Sequence, residues 1–289
     1  MCIFSGPVET VSNTKICVGT MATPAEFQIS KTAPEKLHQF TVYGNSVSFH
    51  GKNVAMILPC PVNPLLANGG IKVYDMSKKT RVFVKLDNLF PKPRSMTLSY
   101  DAFASTNSAE TLKVFKSGNY SVTIVPDFTK FKNLDWSAFS LNPDVVRLLE
   151  NKYATNYGFV VCRLQPDAKY EPIAYSHPIM IAERQILLDG SKQKQMIYFV
   201  PTKHFHNDAN ELPDWDHTVY VLDKYPGVLA ERGVRTECVY KHQLEGRSVR
   251  DLKAQLPDNA CVDVVSVDKI KIDSMFKQNI DLHFGIVSH

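Results

Sequence analysis

The sequence predicts an α+β fold: predominantly antiparallel β-sheets, sandwich-like, with a few short helices. Segments dense in β-branched and aromatic residues recur along the chain, bounded by Gly, Pro or Asn. Patterns with helical spacing are few. The strand-like segments also follow one another directly, without the alternating helices that a parallel sheet needs for its crossovers.

Along the chain, "TKICVGTM", "HQFTVYGNSVSF" and "NVAMILPCPV" read as the first strands. Asn68-Gly69-Gly70 is a turn leading into the strand-like "IKVYDM". "KKTRVFVKLDNLF", ending at Pro91, is the first helical candidate. The polar, turn-rich stretch from Pro91 to Thr111 reads as a long loop. It makes 91–111 a candidate internal seam in what otherwise reads as one domain over residues 1–289.

Beyond it "YSVTIVPDF" returns to strand. "NPDVVRLLENKYA" predicts a helix, with Asn142 as N-cap, Pro143 at the first helical position, and Val145, Val146, Leu148 and Leu149 as apolar positions. "YGFVVCRLQ", "PIMIAERQILL", "QMIYFVPTKHFH" and "HTVYVLD" are strands by the same criteria. The charges of "ERGVRTECVYK" read as a solvated edge. In "GRSVRDLKAQL", Ser248 would cap a helix with Val249, Leu252 and Leu256 on one face.

Composition narrows the function classes. With 33 Lys and Arg against 29 Asp and Glu, the formal charge is +4 and scattered, which is no footprint for nucleic acid. No run of about 18 apolar residues occurs, so no membrane insertion is expected, and no secretory signal is read. The six cysteines have no C-x-x-C spacing and mostly apolar flanks, which reads as reduced core thiols. A reducing compartment follows, the cytoplasm or a particle assembled there. No phosphate-binding Gly-rich loop, nucleophile elbow or H-E-x-x-H helix occurs.

Two places carry candidate chemistry. Cys2 follows Met1, and removal of the methionine would leave a thiol beside a free α-amine. An amine with pKa near 8 can take the proton of its own side chain and so activate the nucleophile without a histidine partner. The other reading of Cys2 is an ordinary core residue in a first strand. The second place is "PTKHFHNDANELPDWDH". If "MIYFVPTKHFH" continues as a strand, His204 and His206 share a face, and Asp216 and His217 return on the next strand. Such a set could serve the Cys2 thiol as base and orienting groups. It could equally hold zinc or a similar divalent ion on His204, His206 and His217. A third reading is a hairpin whose His and Asp side chains bond the turn. His177, before Pro178, reads as structural.

The opening "MCIFSGPVETVSNTKI", with "MILPCPV", "YGFVVCRL", "SHPI", "YFVPTKHFHND" and "DWDHTVY", resembles a mostly bacterial protein family that begins Met-Cys-(Leu/Ile)-Phe-Ser. The resemblance implies that Cys2, His204, His206, Asp216 and His217 occupy motif positions, and it carries no activity. A looser likeness joins the chain to cysteine N-terminal-nucleophile amidases, which also open Met-Cys. This chain departs from those families in lacking the Arg and Asn they show soon after the cysteine, having Lys15 and Asn13 in a different local context.

The leading expectation is a cysteine-dependent amide or peptide-bond hydrolase. Its nucleophile would be Cys2, with His204, His206, Asp216 and His217 around it, acting on a small amide or peptide and needing no cofactor. The alternatives are a non-catalytic structural or interaction protein, an assembly component such as that of a large virus, with protein partners, and a His-x-His metal-binding protein.

Overall fold

The computed structural model describes residues 3–28, 37–49, 53–91, 114–131, 134, 141–165, 171–185, 192–203, 205, 216–223, 228–230, 236–243, 246–258, 260, 266–272 and 280–286. In chain order the elements begin with β1 (Ile3–Phe4), β2 (Thr10–Ala22), β3 (Leu37–Ser48), β4 (Ala55–Pro61), β5 (Lys72–Tyr74) and α1 (Val82–Asp87). There follow β6 (Val114–Ser117), β7 (Tyr120–Val125), α2 (Phe128–Phe131), α3 (Pro143–Tyr153), β8 (Tyr157–Arg163), β9 (Ile173–Pro178) and β10 (Met180–Gln185). The last are β11 (Lys192–Val200), β12 (Thr218–Asp223), β13 (Val228–Ala230), β14 (Thr236–Gln243), α4 (Gly246–Lys253), β15 (Ser266–Ile272) and β16 (Leu282–Ile286). This is the α+β, mainly antiparallel architecture that the sequence predicts.

The strands form three sheets, ordered β1-β4-β8-β7-β6, β10-β11-β16-β13 and β14-β15-β12-β2-β3-β9-β5. Every pairing between named strands is antiparallel except β12 on β2, which is parallel. Side-chain alternation sorts the sheets into layers. Ile16 and Val18 of β2, Val219 and Val221 of β12, Met56 and Leu58 of β4, Val160 of β8, and Tyr198 and Phe284 of the four-stranded sheet share one central core. On the other face of the seven-stranded sheet, Cys17, Phe40, Val42, Tyr220 and Leu222 pack under Val82 and Leu86 of α1 and Leu252 of α4. On the other face of the five-stranded sheet, Ile57, Phe159 and Val161 pack under Phe131 of α2 and Val145 and Leu149 of α3. The order is therefore helices, sheet, sheets, helices. The central core draws on strands from both sides of the 91–111 stretch.

Local chemistry explains the element ends. Asn142 accepts a bond from the Asp144 amide through Oδ1, 2.9 Å away, and Pro143 opens α3 without needing a donor. Asn68 and Gly69 take φ of 51° and 65°, which turns the chain into β5. In β4, Pro59 and Pro61 lack N–H groups, and β1 pairs with Met56 and Ile57, so among the described residues the proline half of β4 has no strand partner on that side. Two expectations are corrected. Strand β11 stops at Val200, before Pro201, and does not run on to His206. Helix α4 begins at Gly246, so Ser248 lies inside it and is no cap.

Candidate functional site

The first described residues of the chain are held on both sides. Ile3 and Phe4 pair with Ile57 and Met56 of β4. On the opposite edge Ile3 forms a parallel bridge with Phe205, and the Phe4 amide donates to the Phe205 carbonyl at 3.1 Å. Ser5 continues the clamp: its amide donates to the Ala55 carbonyl at 2.8 Å, and its Oγ accepts from the Ala55 amide at 2.9 Å. The Asn142 amide donates to the Ser5 carbonyl at 2.7 Å, tying the start of α3 to the same strand. Ile3 and Phe205 are buried in the core that carries Val145, Leu149 and Tyr153 of α3. Cys2 adjoins Ile3 in sequence, and His204 and His206 flank Phe205; all three lie outside the described residues.

Two residues before Phe205 in sequence, Lys203 joins a group of titratable side chains. Asp281, just before β16, accepts the Tyr153 hydroxyl through Oδ2 at 2.5 Å and the Lys203 amide through Oδ1 at 3.0 Å. Thr202 Oγ1 donates to the Ile280 carbonyl at 2.9 Å, so residues 202–203 are pinned to residues 280–281 twice. Asp281 is only partly buried as a residue, yet burial of the carboxyl raises its pKa, against the bonds from Tyr153 and the Lys203 amide. Burial lowers the Lys203 pKa, and Lys152 nearby adds to the effect while Asp281 opposes it. Tyr153 is pushed well above the usual phenol range by burial and by Asp281, and burial raises Tyr157 to about 12. Perturbed acids and bases gathered at one place are a mark of functional sites, although structural networks produce them too.

Asp216 and His217 enter elsewhere. They immediately precede β12, whose Thr218 pairs with Lys15 of β2 and Lys271 of β15 in the seven-stranded sheet. His217 is buried, and its Nδ1 lies 3.7 Å from Asp216 Oδ1. Phe205 packs in the outer core under the five-stranded sheet, so the described neighbours of the two motif halves belong to different layers. Among the described residues, no three His, Cys, Asp or Glu side chains gather as a metal site.

Sequence reading missed the Asp281 group. Its signal is a carboxylate directly before the alternating "LHFGI", together with Tyr153 one turn beyond Leu149 on the buried face of the α3 pattern. A second polar junction was also missed. Gln39 Nε2 donates to the Phe199 carbonyl at 2.6 Å, while the Phe199 amide donates to Gln39 Oε1 at 2.8 Å, so a side-chain amide serves as strand partner between two sheets. Around the Phe199 ring stand Tyr157, His283 and His177, with centroids at 5.4, 5.5 and 6.5 Å. His177 is fully buried with Nδ1 2.9 Å from the Pro178 carbonyl, and burial pushes its pKa down to about 3. His38, stacked on Phe27, is likewise pushed down by burial to about 4.

No protein-family profile matches the chain. Among solved structures, the crystal structure of baculovirus P35 aligns over 99% of this chain and 100% of its own, with a TM-score of 0.41 and 13% sequence identity. A likeness at that level carries no conclusion about fold or activity. No helix among the described residues is long and apolar enough to cross a membrane.

Proposed function

We propose that the protein is a cysteine-dependent amide or peptide-bond hydrolase of the N-terminal-nucleophile type, with Cys2 as nucleophile. One observation carries the reading: the residue that follows Cys2 pairs with the residue between His204 and His206. The layering of helices outside facing sheets agrees with the covered sandwich of such enzymes, an argument from fold analogy alone. In this mechanism the α-amine of Cys2 takes the thiol proton, and the thiolate adds to the substrate carbonyl carbon. The leaving amine departs with that proton, and water then cleaves the thioester to release the acid and restore the thiol. His204 or His206 would orient the leaving group.

Intact mass of protein purified without an N-terminal tag provides the first test. The mechanism requires loss of Met1, followed by a Cys2-linked acyl adduct on brief exposure to a panel of activated acyl amides. The Cys2→Ala protein should form none. Retained Met1, or acylation unaffected by that substitution, would remove the reading.

A further inference from the structure

The two ends of α3 reach the two segments that meet at Ile3 and Phe205. At its start, the Asn142 amide bonds the Ser5 carbonyl at 2.7 Å. At its last residue, the Tyr153 hydroxyl bonds Asp281, whose other oxygen takes the Lys203 amide at 3.0 Å. Lys203 stands two residues before Phe205, and the Phe205 carbonyl receives the Phe4 amide at 3.1 Å. Among the described residues, 201–203 and 205 have this isolated bridge as their regular pairing, because β11 ends at Val200. Beyond that backbone bridge, the described anchors of residues 202–203 are the Thr202 hydroxyl on the Ile280 carbonyl and the Asp281 carboxylate on the Lys203 amide.

We propose that Asp281 is a positioning residue: held by Tyr153, it fixes the Lys203 backbone so that Phe205 docks on β1, the strand that begins directly after Cys2 in sequence. The docking stands by itself, while its purpose rests on the hydrolase reading. A carboxylate oxygen bonded to a backbone amide is an anchor that an amide side chain replaces only in part. Tyr153 orients that carboxylate and in turn depends on the packing of α3 through Val145 and Leu149.

Residue-resolved amide exchange on the full chain tests this. In Asp281→Asn, the Phe4 and Lys203 amides should exchange about tenfold faster or more, with amides of the β7–β8 pair unchanged. Tyr153→Phe should give a smaller increase at the same two positions, and it keeps the test open if Asp281→Asn folds poorly. The pH midpoint of Cys2 alkylation should move in Asp281→Asn toward the ordinary thiol value of about 8.5. Unchanged Phe4 exchange in both variants overturns the inference, as does an equal increase in every strand. If wild-type Cys2 already titrates at the ordinary value, the hydrolase reading falls, and Phe4 exchange alone still decides whether Asp281 docks β1.

Discussion

Leu148 and Leu149 are adjacent in sequence and differ in burial: Leu149 is fully buried against the five-stranded sheet, while Leu148 is packed only in part. An aspartate at 149 would place an unpaired charge in that core, so Leu149→Asp should cost several kcal/mol, on the order of 4, in urea denaturation. Leu148→Asp should cost clearly less. Equal losses would contradict the facing of α3.

The buried histidines set a pH dependence. His177 and His38 are neutral in the fold, with pKa values pushed down to about 3 and about 4, whereas the unfolded chain protonates them near 6.5. Below that pH the unfolded state binds more protons, so stability falls as the solution is acidified from about 6.5 toward these values. The fall approaches about 1.4 kcal/mol per pH unit for each histidine. Asp281, with its raised pKa, acts in the opposite sense, because its protonated form is favoured in the fold. Urea midpoints measured from pH 7 to 4 should decline, and should decline less in His177→Leu. A flat profile in the wild type would show that the rings are not held neutral.

At the scale of elements, α1 is latched to the seven-stranded sheet by one carboxylate. Asp87 receives Lys15 of β2 at 2.6 Å, the Tyr220 hydroxyl of β12 at 2.5 Å and Lys269 of β15 at 3.0 Å. Burial works against ionisation of Asp87, and these three bonds outweigh it, holding its pKa below the usual value. The Lys269 ammonium also lies over the Phe90 and Tyr220 rings, 5.4 and 5.6 Å from their centroids. Contacts from α1 to α4 extend the latch, with Lys85 3.4 Å from Asp251. Asp87→Ala leaves two ammonium groups without their anion and should cost about 2 to 3 kcal/mol, more than the sum for an exposed pair. Thermal or urea denaturation checks it, and a loss within about 0.5 kcal/mol would show the latch to be ornamental.

How much was legible differs by element for physical reasons. Strands β2, β3, β4, β8 and β12 announce themselves because runs such as "AMILPCP" are buried on both faces. Helix α3 was legible from its cap, since Asn142-Pro143 is a local signal. By contrast β1 is two residues long, and its pairing with Phe205 is made by backbone groups that no side-chain pattern encodes. Of the charged segment read as a solvated edge, residues 236–241 belong to β14, at the edge of the seven-stranded sheet, and 231–235 lie outside the described residues. Neither Asp281 nor Asp87 could be matched to partners, because those partners lie at least 78 and 72 residues away.

For the whole molecule, sequence pattern sufficed for the class and not for the topology. Alternation predicts which residues turn inward, but the parallel placement of β12 beside β2 joins residues about two hundred positions apart, and period alone does not fix such a choice. The layering has a consequence for thiol chemistry. Cys17, Cys60 and Cys162 are buried thiols, and burial raises the pKa of Cys17 and Cys60. They should resist alkylation until the protein unfolds, and so provide internal reporters of folding in the same sample.

Cys2 reactivity measured against that background bears most directly on the proposed function. Native protein is treated briefly with iodoacetamide across pH 5 to 10, and the alkylated peptides are quantified. A Cys2 activated by its own amine and by the segment around Phe205 should react with a pH midpoint at least about one unit below the ordinary thiol value of 8.5, with Met1 absent and Cys17, Cys60 and Cys162 unlabelled. A Cys2 that titrates at about 8.5, or that still carries Met1, would contradict the nucleophile assignment.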